Sequence, residues 1–290
     1  MMSENIQEGG EEKVEDPVIL GFKRIAENLE KRYRKYEEIS RFSRDITWES
    51  KRTISLILGY TCDKSVLKKA ENRLRFITTN EKCFQGLATA LQPQDKYLFL
   101  RAYTGGVQEF VEAVALYNFF KHRKILTYED LLSQLTFEVT VDDTPESQAE
   151  TKETLPNAEN DSSEIVTEKN DKKRTVKFAL VVPKTDFFLG LSDVTGELMR
   201  ACGSSVKTPD FKTFLFESCA FVRVLHQNLS CISPYPRGLS NKLGTMKANL
   251  CKLEMACYHY VVDRYVCSMN FRFTRFSNDD YIEGDDSGFE

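Results

Sequence analysis

Apolar residues recur at steps of three and four near the start of the chain: Phe22, Ile25, Leu29, Tyr36, Ile39, Ile46 and Ile57. That spacing keeps one face of an α-helix apolar. Asp16 and Pro17 supply a capping carboxylate and a proline at the first helical position, and no glycine or proline follows Phe22 until Gly59. The pattern predicts one helix of about forty residues, on the order of 60 Å long at about 1.5 Å per residue. A helix of that length belongs to an elongated bundle or coiled coil, not to a compact α/β domain.

Similar spacing continues downstream. Asp63 to about Leu91 reads as a second helix that stops before Pro93, and Asp95 to His122 as a nearly all-apolar third. Thr127 caps a short fourth, and Pro183 or Asp186 opens another that runs to about Ser204. Two more follow, starting at Pro209 and Pro236 and ending near Ser230 and Val262. The segment TVKFALVVP (175–183) suits a short strand, but no partner strand is evident. There is no glycine-rich phosphate loop and no strand–helix alternation. The expected fold is all-α, an elongated bundle of about six to seven helices.

Composition narrows the class. The 290 residues carry a net charge of −4, and that length suits one large domain or two small ones. No run of about eighteen apolar residues occurs, so no membrane partner is expected. The start, MMSENIQEGGEEKVED, lacks the apolar core of a secretory signal. Eight cysteines form no C-x-x-C pair and stand among mostly apolar neighbours, which reads as buried free thiols in a reducing, intracellular compartment.

Acid is unevenly distributed. Residues 1–16 hold six acids against Lys13, and 142–171 is acidic, polar and poor in aromatics. Both read as disordered, and without them the chain is basic. The chain divides into an acidic N-terminus (1–16), a helical domain (17–262) with a disordered insertion at about 139–174, and a variable tail (263–290). In the tail, Phe271, Arg272, Phe273, Arg275 and Phe276 suit either base stacking or peripheral packing.

Candidate chemistry lies in two stripes. At about 100° per residue, Arg101, Gly105, Glu109 and Glu112 share one sector of the third helix. Asp186, Gly190, Asp193 and Glu197 share one on the helix that ends near Ser204. Each carboxylate pair has a glycine one turn upstream, where a backbone or ligand can approach closely. Four carboxylates between largely buried helices cannot all stay ionised without compensating cations. Oxygen-only ligands suit Mg2+ or Mn2+. Alternatively the acids are a solvated face, or partners for Arg101 and Arg200.

A third stripe is basic. Arg41, Arg44, Trp48 and Lys51 align on the first helix, with Arg52 beside them. Phosphate contacts with base stacking, or a solvated face with Trp48 packed on a neighbour, both fit. Arg101 is a further candidate for RNA contact. His122, His226 and His259 form no metal-binding pattern, which argues against a zinc protease or a di-iron bundle.

Four motifs, SRDITWESKRTISLIL (43–58), TGGVQEFVEAVAL (104–116), LSDVTGELMRAC (191–202) and LEMACY (253–258), occur in an order that resembles the translin family, on its translin-associated (Trax) side. The similarity runs from about Val18 to Val262. It implies a translin-like all-α fold and assembly with translin into a closed hetero-oligomer that promotes RISC activation. The implied activity is Mg2+-dependent endoribonucleolytic cleavage of single-stranded RNA, including nicked siRNA passenger strands, with the RISC-loading machinery as partner. The family's acids fall on Glu109, Glu112, Asp193 and Glu197. Glu112 and Glu197 would hold a metal, Glu109 and Asp193 would hold or share a second, and Asp193 or Glu109 would take a proton from water.

The alternative is a non-catalytic helical scaffold that stabilises translin and binds single-stranded RNA or DNA. The expected location is the cytoplasm. A nuclear pool is left open, because the family's basic N-terminal segment is missing and only KNDKKR (169–174) remains.

Overall fold

The computed structural model describes residues 16–59, 64–92, 97–142, 173–206, 210–232 and 238–266. Sequence expectations for 1–15, 143–172 and 267–290 lie outside the described residues, as do Cys62, Cys267, Pro209 and Pro236. Among the described residues there are eight helices and one two-stranded sheet. No described helix is long and apolar enough to cross a membrane.

Helix α1 runs Pro17–Leu58, a single element of 42 residues. The Asp16 carboxylate accepts a hydrogen bond from the Val18 amide at 2.9 Å, and Gly59 ends the helix. The expected second helix is instead two: α2 (Lys64–Thr79) and α3 (Phe84–Leu91). Asn80 separates them, its side-chain oxygen accepting from the Lys82 amide at 2.7 Å while its carbonyl takes the Cys83 amide. An asparagine turn of this kind competes with helical bonding and breaks the ladder without glycine or proline.

Helix α4 spans Leu100–His122, and α5 spans Tyr128–Gln134 with Thr127 Oγ1 accepting from the Asp130 amide. Then come β1 (Thr136–Asp142), β2 (Lys173–Ala179), α6 (Lys184–Ser204), α7 (Phe211–Ile232) and α8 (Leu239–Val266). The strands pair antiparallel from Thr136↔Ala179 to Asp142↔Lys173. The strand expected at 175–183 is Lys173–Ala179 and has a partner, and residues 139–142 and 173–174 of the expected insertion are part of this ordered hairpin. Thirty residues separate the two strands, but loop-closure entropy rises only slowly with length. Facing residues Phe137 and Phe178 are both buried and anchor the hairpin to the core.

Helix α4 is the centre of the bundle, packed between α1 and α6. Two glycines set how closely these helices approach. A Cβ on Gly106 would stand 2.7 Å from the Ser43 carbonyl oxygen of α1, and one on Gly190 only 2.5 Å from the Gln108 carbonyl oxygen of α4. Gly105, which the stripe argument had picked out, meets nothing within 4 Å. The close approach belongs to its neighbour, whose amide donates to Ser43 Oγ at 3.1 Å.

The described cysteines are free thiols, as expected, but not all are buried. Cys83, Cys202 and Cys219 are buried, whereas Cys231 and Cys251 are exposed. Their apolar sequence neighbours belong to the inward sides of α7 and α8, and these two point outward.

Candidate active site

Glu109 and Glu112 project from α4, and Asp193 and Glu197 from α6. The close packing at Gly190 brings the two stripes together, and all four acids line one cavity of about 490 Å3. Helix α1 closes a third side with Lys51, Ile54, Ser55 and Leu58, and Arg200 joins from α6. The quartet isolated by helical spacing is thus a spatial cluster.

Three of the four acids carry a cation. Lys51 Nζ stands 3.2 Å from Glu109 Oε1, and Arg200 2.8 Å from Glu197 Oε2. Lys242 of α8 stands 2.5 Å from Asp193 Oδ2. Each cation comes from a different helix. Arg200 was an expected partner; Arg101 takes no such role and lies exposed in the first turn of α4. Lys242 was missed because it is more than forty residues from Asp193 on a helix with no acid stripe.

Glu112 differs. Only 8% of it is exposed, and it makes no hydrogen bond or ion pair among the described residues. Burial pushes its carboxyl up to about 8, the charges of Asp193, Glu109 and Glu197 add to the rise, and Lys242 opposes it. At neutral pH, without an added cation, most of Glu112 is the neutral acid. Burial also raises Glu197, helped by Glu109 and Asp193 and opposed by Arg200. With all four carboxyls ionised, the cavity would hold one more negative charge than its three basic partners can neutralise.

No three His, Cys, Asp or Glu side chains among the described residues converge on one point at ligating distance. Glu109, Glu197 and Asp193 are each engaged by a basic partner instead. The donor set still suits a hard cation: four carboxylates, oxygen only, one of them buried with no ion pair of its own among the described residues.

The basic stripe of α1 is exposed at Arg41, Arg44 and Lys51, and Trp48 is 65% exposed. Most of the Trp48 ring is therefore open to solvent rather than covered by this chain. Arg52 is taken up by Glu49 at 3.0 Å. Arg73 of α2 reaches the same glutamate at 3.2 Å. Within the stripe, Lys51 alone lines the acid cavity. Asp186, the first acid of the α6 stripe, stays outside the cavity lining and accepts from Gln108 Nε2 at 2.6 Å.

Comparison with known proteins agrees with this architecture. The model of the Translin family matches residues 34–264. The chain is 37% identical over 256 residues to Translin-associated protein X of Mus musculus, covering 87% of this chain and 81% of that one. The Translin-associated protein X homolog of Schizosaccharomyces pombe is 26% identical over 253 residues, covering 84% and 87%. The solved structure of apo-NeC3PO superposes with a TM-score of 0.54 at 18% identity, over 82% of this chain and 95% of that one. The AfC3PO–duplex RNA complex gives 0.54 at 16% identity, over 84% and 98%. At such identities the likeness is one of fold.

Proposed function

Since the chain belongs to the translin family, we propose that it is the catalytic subunit of a Mg2+-dependent endoribonuclease, working in a hetero-oligomer with translin on single-stranded RNA. The observation that carries this reading is the convergence of four carboxylates from two neighbouring helices on one cavity, with Glu112 buried and in no ion pair among the described residues. Glu112 and Glu197 would hold the ion, and Glu109 and Asp193 would share it or hold a second. Mg2+ or Mn2+ held by these carboxylates would supply Lewis-acid chemistry, polarising a phosphate and acidifying a water.

The chain's own side chains supply the rest. Asp193 or Glu109, once released from its lysine, accepts the proton of the attacking water. Lys51 and Arg200, freed in the same exchange, neutralise phosphate oxygens inside the cavity. Arg41, Arg44 and Trp48 lead along α1 toward Lys51, offering phosphate contacts and a stacking surface. AfC3PO, a protein of the same fold, has been solved with duplex RNA, which supports RNA as the ligand class. Nicked passenger strands during RISC loading, in the cytoplasm and the nucleus, are the biological setting that fits.

A second reading has its own observation. Three of the acids are already satisfied by ion pairs, as they would be in a scaffold that stabilises translin and binds nucleic acid without cutting it. The deciding experiment uses the full chain co-purified with translin and an end-labelled single-stranded RNA. Cleavage with Mg2+, lost with EDTA and lost in Glu112→Gln while the oligomer persists, supports the nuclease. RNA binding without cleavage by the wild-type complex in Mg2+ leaves the scaffold.

A further inference from the structure

The buried seam of α1 continues where the bundle does not. Ile39, Ser43, Ile46, Ser50, Thr53 and Ile57 are all buried, at alternating steps of four and three. The same alternation runs back without a slip through Tyr36, Arg32, Leu29, Ile25, Phe22 and Val18. A strict seven-residue repeat of this kind is the seam of a coiled coil. Yet the five apolar members of that half are between 41% and 69% exposed, as is Tyr33 beside them. Pro17 to Glu38 thus extends about 33 Å beyond the core as an uncovered helix, at about 1.5 Å per residue. Monomeric proteins rarely leave so continuous an apolar strip in water.

Between Val18 and Tyr36, Arg32 is the one departure from the apolar seam, and it limits what can cover it. Neighbouring charges are satisfied within the helix, Arg34 by Glu30 and Lys35 by Glu38, whereas Arg32 pairs with no carboxylate among the described residues. A parallel second copy would set Arg32 against Arg32, and an antiparallel one would bury it among apolar side chains. Both leave a charge uncompensated in the seam. A different chain with a carboxylate at the facing position avoids this cost and fixes the register at the same time.

We propose that the Val18–Tyr36 seam is the docking surface for an amphipathic helix of a second, non-identical translin-family chain, which faces Arg32 with Asp or Glu. This rests on the reading above that the chain works inside a translin assembly, and it assigns that assembly a specific surface. The active-site cavity and this surface share α1, so the partner's helix fixes the free end of the same rod that carries Lys51 to Glu109.

The test is co-expression of the full chain with tagged translin, read by co-purification and by light scattering after size exclusion. In Ile25→Glu/Leu29→Glu, both at exposed positions, capture by translin falls at least tenfold while circular dichroism keeps the helical signal. Arg32→Glu weakens capture, and reversal of the facing acid in translin restores it. Wild-type capture by the double variant overturns the proposal and leaves the assembly itself standing. A homodimer of the lone chain that the same double variant dissolves overturns it in favour of a second copy. Deletion of 267–290 that exposes the amides of 22–36 to hydrogen exchange in the lone chain overturns it in favour of the chain's own tail. Failure of the wild-type chain to join translin at all overturns both the surface and the assembly reading.

Discussion

Lys242, in the first turn of α8, holds its Nζ 2.5 Å from Asp193 Oδ2 and 3.1 Å from the Leu189 carbonyl oxygen of the same helix. One ammonium therefore ties α8 to α6 and occupies a carboxylate of the cavity. A divalent cation entering the cavity would have to compete with it. Lys242→Met is expected to raise Mn2+ affinity by about threefold to tenfold, the effect of removing one positive charge about 6–10 Å from a divalent ion in a partly exposed site screened nearly as well as by water, at a dielectric constant of about 80. Because the pair is partly exposed, the cost in stability stays below about 1 kcal/mol. Calorimetric titration of the full chain with Mn2+ checks this; weaker binding in the variant would show that Lys242 orients Asp193 rather than competing for it.

Glu112 makes a prediction about pH. Its folded carboxyl sits near 8, well above its ordinary value of 4.5. Below about 4.5 both the folded and unfolded forms hold the proton, and the residue costs nothing. As pH rises toward 8 the unfolded chain releases it first, so stability falls across that window. In metal-free buffer, thermal unfolding of the wild type should decline from pH 5 to 8 relative to Glu112→Gln, which keeps the shape and removes the ionisation. Added Mg2+ should stabilise the wild type more than the variant. Parallel pH profiles for the two proteins would show that Glu112 is less buried than the structure has it.

Helix α4 shows how far sequence periodicity can reach. Spacing alone put Glu109 and Glu112 on one sector and Asp193 and Glu197 on another, because helical phase is a local property. What phase cannot give is the neighbour. The lysine that faces Asp193 comes from α8, the glycine contact that matters is Gly106 and not Gly105, and the strand at 173–179 finds its partner across thirty residues. Each depends on tertiary packing. The break at Asn80 was local, but an asparagine turn inside an otherwise helical pattern carries a weaker signal than glycine or proline. The resemblance to the translin family supplied roles for the acids, which spacing had grouped without assigning.

The two glycines at matching stripe positions should respond in opposite ways to alanine. At Gly190 the added methyl meets the Gln108 carbonyl oxygen at 2.5 Å and Val111 Cβ at 2.8 Å, both on a packed helix. Gly190→Ala should cost about 1–3 kcal/mol through forced separation of α4 and α6, and it should widen the acid cavity. Gly105→Ala meets open space and removes backbone freedom from the unfolded chain, so it should stabilise by about 0.5–1 kcal/mol. Urea unfolding midpoints of the two variants separate the cases. Equal effects would mean that the helix contact at Gly190 is not close.

The basic stripe gives the last prediction. Arg44 and Lys51 lie two turns apart on α1, but their surroundings differ. Arg44 is exposed and pairs with no acid among the described residues, whereas Lys51 is held by Glu109 and lines the cavity. If single-stranded RNA tracks along α1 into the cavity, each side chain that meets a phosphate releases counterions from the strand. Charge reversal at both, Arg44→Glu with Lys51→Glu, should weaken RNA binding and reduce the slope of log K against log salt by about 1 to 2. The single variants should then part. Arg44→Glu lowers affinity and leaves cleavage of bound RNA near the wild-type rate. Lys51→Glu also slows the cut, because it adds a fifth carboxylate to the cavity and frees Glu109 from its partner. Salt-series binding with single-turnover cleavage on the translin complex measures both effects. An unchanged salt slope in the double variant would put the stripe outside the path of the RNA and leave it a solvated face.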